Sequence, residues 1–250
     1  MKIKGKEIGQ GQPLICVSVM GHTKEEIVNS IESLVKESTD MIEWRVDFFD
    51  KADDLYEVEN VLKAIKVLVE KTILVFTYRS KKQGGEGQLD LNTILKIQHL
   101  AAKSKVCDLI DYEYFAASSA NKDIEELKKE GARIIVSHHD FNETPEKRTI
   151  EILLEEMKKS KADIVKIALM PNKMIDVLNL LEKTNEFHEK YPETPLITMS
   201  MGKLGSVSRI TGEYFGSCVT FGAGKIASAP GQFAKDDLKL ILENIHKSLK

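Results

Sequence analysis

Asp163-Ile-Val-Lys-Ile-Ala-Leu-Met170 decides how this chain is read. Apart from Lys166 its centre is aliphatic and β-branched, the pattern of a strand covered on both faces. A charged ammonium in such a strand is costly unless it is paired or neutral. The expected escape is a depressed pKa, and a neutral amine is a nucleophile. The preceding strand-like run carries Ile135-Val-Ser-His-His-Asp140. An amine nucleophile and a histidine base at the ends of neighbouring strands point to imine chemistry on a carbonyl substrate.

Working outward, similar short apolar runs occupy residues 13–20, 41–49, 72–79, 109–114, 132–140, 163–170, 195–201 and 218–221. Segments with helical spacing lie between most of them. Thr23 with Glu26 reads as a capping box, followed by the stripe Ile27, Ile31, Leu34 and Val35. Asp53 and Asp54 open a second helix whose stripe takes in Leu55, Val58, Leu62, Ile65 and Val69. Thr144-Pro145 reads as a cap and first-turn proline ahead of Ile150, Leu153, Leu154 and Met157. Gly131 follows the charged helix 122–130 as a C-terminal stop, and a last helix over 236–249 carries Leu240, Ile241 and Ile245.

Units of about 30 residues, each a strand followed by a helix or loop, describe an α/β fold of the (β/α)8 TIM barrel type. A doubly wound open sheet is the alternative, but near-equal units favour closure. One domain over residues 1–250 is expected, with residues 1–12 a cover for the N-terminal barrel mouth.

The 250 residues are 42% hydrophobic, which suits one large core. A net charge of -3 excludes a general appetite for nucleic acid or an anionic membrane, and Lys81-Lys82 and Lys128-Lys129 read as solvated surface. Cys16, Cys107 and Cys218 form no CxxC pair, so neither zinc nor a redox dithiol is expected. Free thiols, a polar N-terminal stretch and no run approaching about 18 apolar residues point to the cytoplasm.

Barrel active sites form at the C-terminal ends of the strands. Those ends offer Ser18; Glu43, Arg45 and Asp47; Arg79; Asp111 and Glu113; His138 and His139; Lys166; Thr198, Met199 and Met201, with Ser208-Arg209 beyond; and Ser228-Ala-Pro-Gly-Gln232. Each has a plainer reading. Glu43 and Arg45 share one strand face, so a structural ion pair is the favoured account of that pair alone. Arg79 fits a surface strand end. His138 and His139 point opposite ways, so at most one faces the cavity, and a lone histidine is more often structural. Met199 and Met201 read as core filler or a wall for an apolar ring. Lys166 resists a plain reading unless Asp111 or Glu113 is its buried partner.

Other motifs fail. Gly224-Lys225 is no phosphate loop, because no glycine stands five residues earlier and Ile226 replaces the Ser or Thr. Gly202-Lys-Leu-Gly205 and Phe221-Gly-Ala-Gly224 keep a phosphorylated substrate open. His22, His99, His188 and His246 show no metal-ligand spacing.

Taken together, Glu43-Trp-Arg-Val-Asp47, Phe76-Thr-Tyr-Arg-Ser80, Ser137-His-His-Asp-Phe141, Val165-Lys-Ile-Ala-Leu-Met-Pro171, Thr198-Met-Ser-Met201, Ser208-Arg209 and Ser228-Ala-Pro-Gly-Gln232 resemble the type I 3-dehydroquinate dehydratases. The resemblance spans nearly the whole chain. It implies a homodimeric barrel without metal or organic cofactor that dehydrates 3-dehydroquinate to 3-dehydroshikimate in the shikimate pathway. It implies Lys166 as the imine-forming lysine, His139 as general acid/base and Arg209 as the carboxylate holder. Ser18, Glu43, Arg45, Arg79, Ser228 and Gln232 fall on substrate-contacting positions. Gln83 departs from the pattern, since the family often carries a glutamate there to orient the histidine. Nearby Arg45, Arg79 or Arg209 is expected to help depress the lysine pKa, and a histidine near its ordinary pKa to serve in both protonation states. Two rivals stand beside this reading: a class I aldolase or transaldolase-like Schiff-base barrel, and a non-catalytic binder of a small acid.

Overall fold

The computed structural model describes residues 1–224 and 228–250. Lys225 and Ile226, part of the rejected phosphate loop, lie outside the described residues. A hairpin of β1 (Lys2–Ile3) and β2 (Lys6–Glu7) precedes β3 (Leu14–Val19), β4 (Met41–Arg45), β5 (Ile73–Thr77), β6 (Leu109–Glu113), β7 (Ile134–Asp140), β8 (Ile164–Leu169), β9 (Leu196–Ser200) and β10 (Val219–Gly222). Strands β3 to β10 form one parallel sheet in the order β10-β3-β4-β5-β6-β7-β8-β9. The remaining seam is stitched by a bridge between Leu196 and Ser217 and by the Cys218 N–H donating to the Leu196 carbonyl at 2.8 Å. The fold is the expected (β/α)8 barrel.

Helices α1 (Lys24–Lys36), α2 (Leu55–Ile65), α3 (Leu91–Ser104), α4 (Ala120–Lys129), α5 (Lys147–Lys159), α6 (Met174–Lys190), the short α7 (Gly212–Phe215) and α8 (Lys235–Ser248) connect and cover the strands. Side chains alternate along each strand. Ile42, Trp44, Leu74, Phe76, Val136, Val165 and Ile167 join a core shared with the helices. Cys16, Met41, Ile73, Val75, Leu109, Ile135 and Ile164 join a second cluster, to which the hairpin and its tail add Ile3 and Ile8. Met41, Ile73, Leu109 and Ile164 open their strands. These residues therefore fill the N-terminal half of the barrel. The positions two and four residues further on are where the polar groups appear.

Several local expectations change. Residues 46–48 form a 3-10 turn rather than extending β4. The capping box on Thr23 is present, and Asp54 caps α2. Leu55, however, is exposed, and the buried stripe of α2 is Val58, Val61, Leu62 and Ile65. Helix α5 has Glu146 at its N-cap position with no side-chain capping bond, while the Thr144 hydroxyl donates to the Met170 carbonyl at 3.0 Å. In α8 Leu238 and Leu242 are buried and Leu240 is exposed, because two residues turn a helix by about 200°.

Candidate active site

Strand parity places the site. Ser137 and His139 share the parity of the inward Ile135, whereas His138 shares that of Val136. His138 sits edge-on to Phe115, with ring centroids 5.2 Å apart. Lys166 lies two residues beyond Ile164 and is 4% exposed. Its Nζ stands 3.3 Å from Asp111 Oδ2, 3.6 Å from Glu43 Oε1 and 4.7 Å above the Phe221 ring. Of the two partners the plain reading of Lys166 calls for, Asp111 is in contact with it. Glu113 is not a partner of the lysine. It receives Arg79 Nη1 at 3.0 Å and the Ser80 hydroxyl at 2.6 Å. The charged groups nearest the amine are thus carboxylates rather than the expected arginines, and they compensate its burial.

Arg79 is no surface residue. It lies within 2.8 Å of Asp111 Oδ1 and donates to Ser137 Oγ at 3.0 Å. Burial works against its charge, but Asp111, Glu113 and Glu43 outweigh it and raise its pKa. Burial likewise opposes ionisation of Asp111, yet Arg79 and Lys166 prevail and lower its pKa. Glu43 and Arg45 do not form the expected pair. Arg45 holds Asp47 bidentately at 2.8 and 2.7 Å, while Glu43 accepts the hydroxyls of Ser18 at 2.6 Å and Thr77 at 2.9 Å.

Gln83 is buried and its Oε1 accepts the His139 backbone N–H at 2.8 Å. The same oxygen stands 3.1 Å from His139 Nδ1. Burial first, then Arg79, Lys166, His138 and Arg45, push the His139 pKa well below the ordinary histidine value. The expectation of a histidine near its natural pKa is corrected accordingly: at neutral pH the ring is a neutral imidazole.

A cavity of about 50 Å³ is lined by Glu43, Arg45, Arg79, His139, Lys166, Ser228 and Gln232, together with Met199, Met201 and Phe221. Two expected site residues do not line it. Ser18 reaches it only through Glu43. Arg209, 1% exposed, lies behind Met199 and Pro230, donating from Nη2 to the Pro230 carbonyl at 3.0 Å. Its Nε is buried without a partner, and among the described residues it pairs with no carboxylate. Burial lowers its pKa to about 10. Gln232 Nε2 donates to Ser228 Oγ at 3.0 Å, closing their loop on itself.

Ser137, Thr77 and Phe221 went unnamed as site residues, although counting by twos from Ile135, Val75 and Val219 marks all three as inward. Gly202 and Gly205, two of the glycines kept open for phosphate, are closely packed. A Cβ on Gly205 would lie 2.2 Å from the Ser200 carbonyl oxygen, and the Gly202 N–H donates to Pro230 O at 3.2 Å. Among the described residues, no three His, Cys, Asp or Glu gather as a metal site, and no helix is long and apolar enough to cross a membrane.

Fold and site define a parallel barrel with a buried amine and an imidazole at one end of its strands. The family model for type I 3-dehydroquinase matches residues 15–249. The 3-dehydroquinate dehydratase of Clostridium botulinum is 42% identical over 250 residues, covering 100% of this chain and 98% of that one. That of Bacillus subtilis is 39% identical over 251 residues, covering 100% and 98%. The type I 3-dehydroquinate dehydratase of Clostridium difficile, solved with covalently modified comenic acid, superposes with a TM-score of 0.94 at 39% identity, covering 99% of this chain and 98% of that one. The Geobacillus kaustophilus enzyme gives 0.96 at 32% identity, covering 100% and 97%. The chain belongs to the type I 3-dehydroquinase family and is a hydro-lyase.

Proposed function

We propose that the protein dehydrates 3-dehydroquinate to 3-dehydroshikimate through an imine on Lys166, with His139 as the acid/base. One observation carries this reading: Lys166 and His139 line the same cavity. Removing a proton next to a ketone is hard because the carbanion is poorly stabilised. The Lys166 amine adds to the ketone, and loss of water gives a protonated imine, an electron sink beside that carbon. His139 removes the α-proton and the pair moves into the ring as an enamine. The enamine expels the β-hydroxyl, which leaves as water with the proton returned by His139. A second water then hydrolyses the conjugated imine and frees the lysine, so one water is lost overall.

The supporting groups fit the substrate's chemistry. Among the described residues Arg209 is a buried cation lacking an anion, and a ring carboxylate would supply one in fork geometry. Glu43, Arg45, Arg79 and Gln232 meet ring hydroxyls, with Ser18 steering Glu43 and Ser228 steering Gln232. The loop carrying Ser228 and Gln232 borders this cavity and closes over the bound ring. On this reading the protein is a cytoplasmic homodimer working without metal or organic cofactor. Its chain is one catalytic domain floored by the β1–β2 hairpin. The packed Gly202 and Gly205 lend nothing to the sugar-phosphate rival.

The test is absorbance of the conjugated enone after adding 3-dehydroquinate. The protein is expected to produce it and Lys166→Ala to lose detectable turnover. Substantial dehydration by that variant would sink the imine assignment.

A further inference from the structure

We propose that Asp111 is the positioning residue of Lys166, a fixed counter-ion that stays with its nitrogen through the reaction. This rests on the imine reading above and assigns a task that the reading leaves open: what keeps the imine nitrogen cationic in a buried site.

The argument begins with β7. Ser137 is in register with Lys166 on one side and with Glu113 on the other. It is small and fully buried, so the inward Asp111 of β6 reaches across it to a lysine two strands away. The two carboxylate oxygens are then divided. Oδ1 is taken by the Ser137 hydroxyl at 2.6 Å and by Arg79 at 2.8 Å. Oδ2 is left for Nζ at 3.3 Å. The Asp111 backbone carbonyl is itself held by Gln98 Nε2 at 3.1 Å. Both carboxylate oxygens and the backbone carbonyl of Asp111 are thus held from the barrel wall.

Glu43, the other carboxylate near the nitrogen, is placed differently. It lines the cavity and Asp111 does not. Glu43 is therefore available to substrate hydroxyls, whereas Asp111 touches the nitrogen from behind the cavity wall. Arg79 and Lys166 also keep Asp111 ionised against its burial, so it acts as a standing charge and not as a proton carrier. A standing anion at this distance favours the protonated imine over the neutral one, and the protonated form is the electron sink. The other titratable groups around the nitrogen are Arg79 just beyond β5, His139 from β7 and the Cys16 thiol from β3; among the described residues β10 offers the Phe221 ring.

The test is borohydride trapping and kcat across the alkaline range, for the native protein and Asp111→Asn, with adducts mapped by mass spectrometry. Asparagine keeps the shape and removes the charge. The adduct is expected on Lys166 in both, with the alkaline limit of trapping and of kcat moved down by about 1–3 pH units in the variant and KM little changed. A merely structural role would lower the active fraction without moving the limit. An unmoved limit in a folded variant overturns the proposal while leaving the imine reading intact. No adduct in the native protein overturns both. If Asp111→Asn does not fold, Ser137→Ala frees Oδ1 and is expected to move the limit the same way by less; an unmoved limit there overturns the proposal equally.

Discussion

Gln83 Oε1 accepts the His139 backbone N–H at 2.8 Å and stands 3.1 Å from Nδ1 of the same residue. A backbone N–H only donates, so the amide atom facing it is the oxygen. That oxygen also makes Nδ1 the protonated nitrogen and leaves the lone pair on Nε2, the state required of a base. Gln83→Leu is expected to release the tautomer and lower kcat by roughly 10- to 100-fold, part of the 10²–10⁴ that acid/base catalysis supplies. Gln83→Glu puts an anion beside the ring, favours imidazolium and moves the acid limb of kcat/KM to higher pH. A pH–rate profile of the three proteins checks both outcomes.

His139 carries a stability signature as well. Its folded pKa lies below that of the unfolded chain, about 6.5, so below that pH the unfolded chain binds a proton that the folded protein refuses. Stability is therefore lost as pH falls from about 6.5 toward the folded value. Denaturant unfolding at neutral and mildly acidic pH should show His139→Gln losing less than the native protein. His139→Ala should still form the adduct but turn over about 10²–10⁴-fold more slowly, with His138→Ala close to native.

Among the described residues Arg209 is a buried guanidinium without an anion, its pKa lowered to about 10 by burial. Such a charge weakens the free protein, and under the proposed function a substrate carboxylate offsets it. Arg209→Met is expected to raise stability by about 1–3 kcal/mol in thermal unfolding. The same change should remove most of the affinity for carboxylate-bearing ring substrates, read as KM.

Gly231 has φ +79°, and a Cβ there would lie 2.1 Å from the Gly202 carbonyl oxygen. Both obstacles are backbone, so Gly231→Ala must lift the loop bearing Ser228 and Gln232. The expected result is a raised KM with little change in thermal unfolding, because residues 228–232 are half-buried or exposed.

The barrel was legible because two periods, of strand and helix, alternate along the chain. Helix boundaries were less so: Leu240 and Leu55 are apolar but face solvent, and apolar character alone does not say which way a helix turns. At the site, Lys166 announced itself by being a charge in an apolar strand. Arg45 and Glu43 were misjudged as partners because shared parity shows which side chains face inward, not which of several inward charges they meet. Asp47, two residues beyond Arg45 in a 3-10 turn, wins through bidentate geometry that no spacing rule conveys.

The central claim is that Lys166 bonds covalently to the substrate. The most direct measurement is to incubate the protein with 3-dehydroquinate, reduce with borohydride and map the adduct by mass spectrometry. A reduced adduct on the peptide carrying Lys166, with enone appearing in the unreduced sample, is the expected result. Enone formation with no adduct on Lys166 would contradict the account.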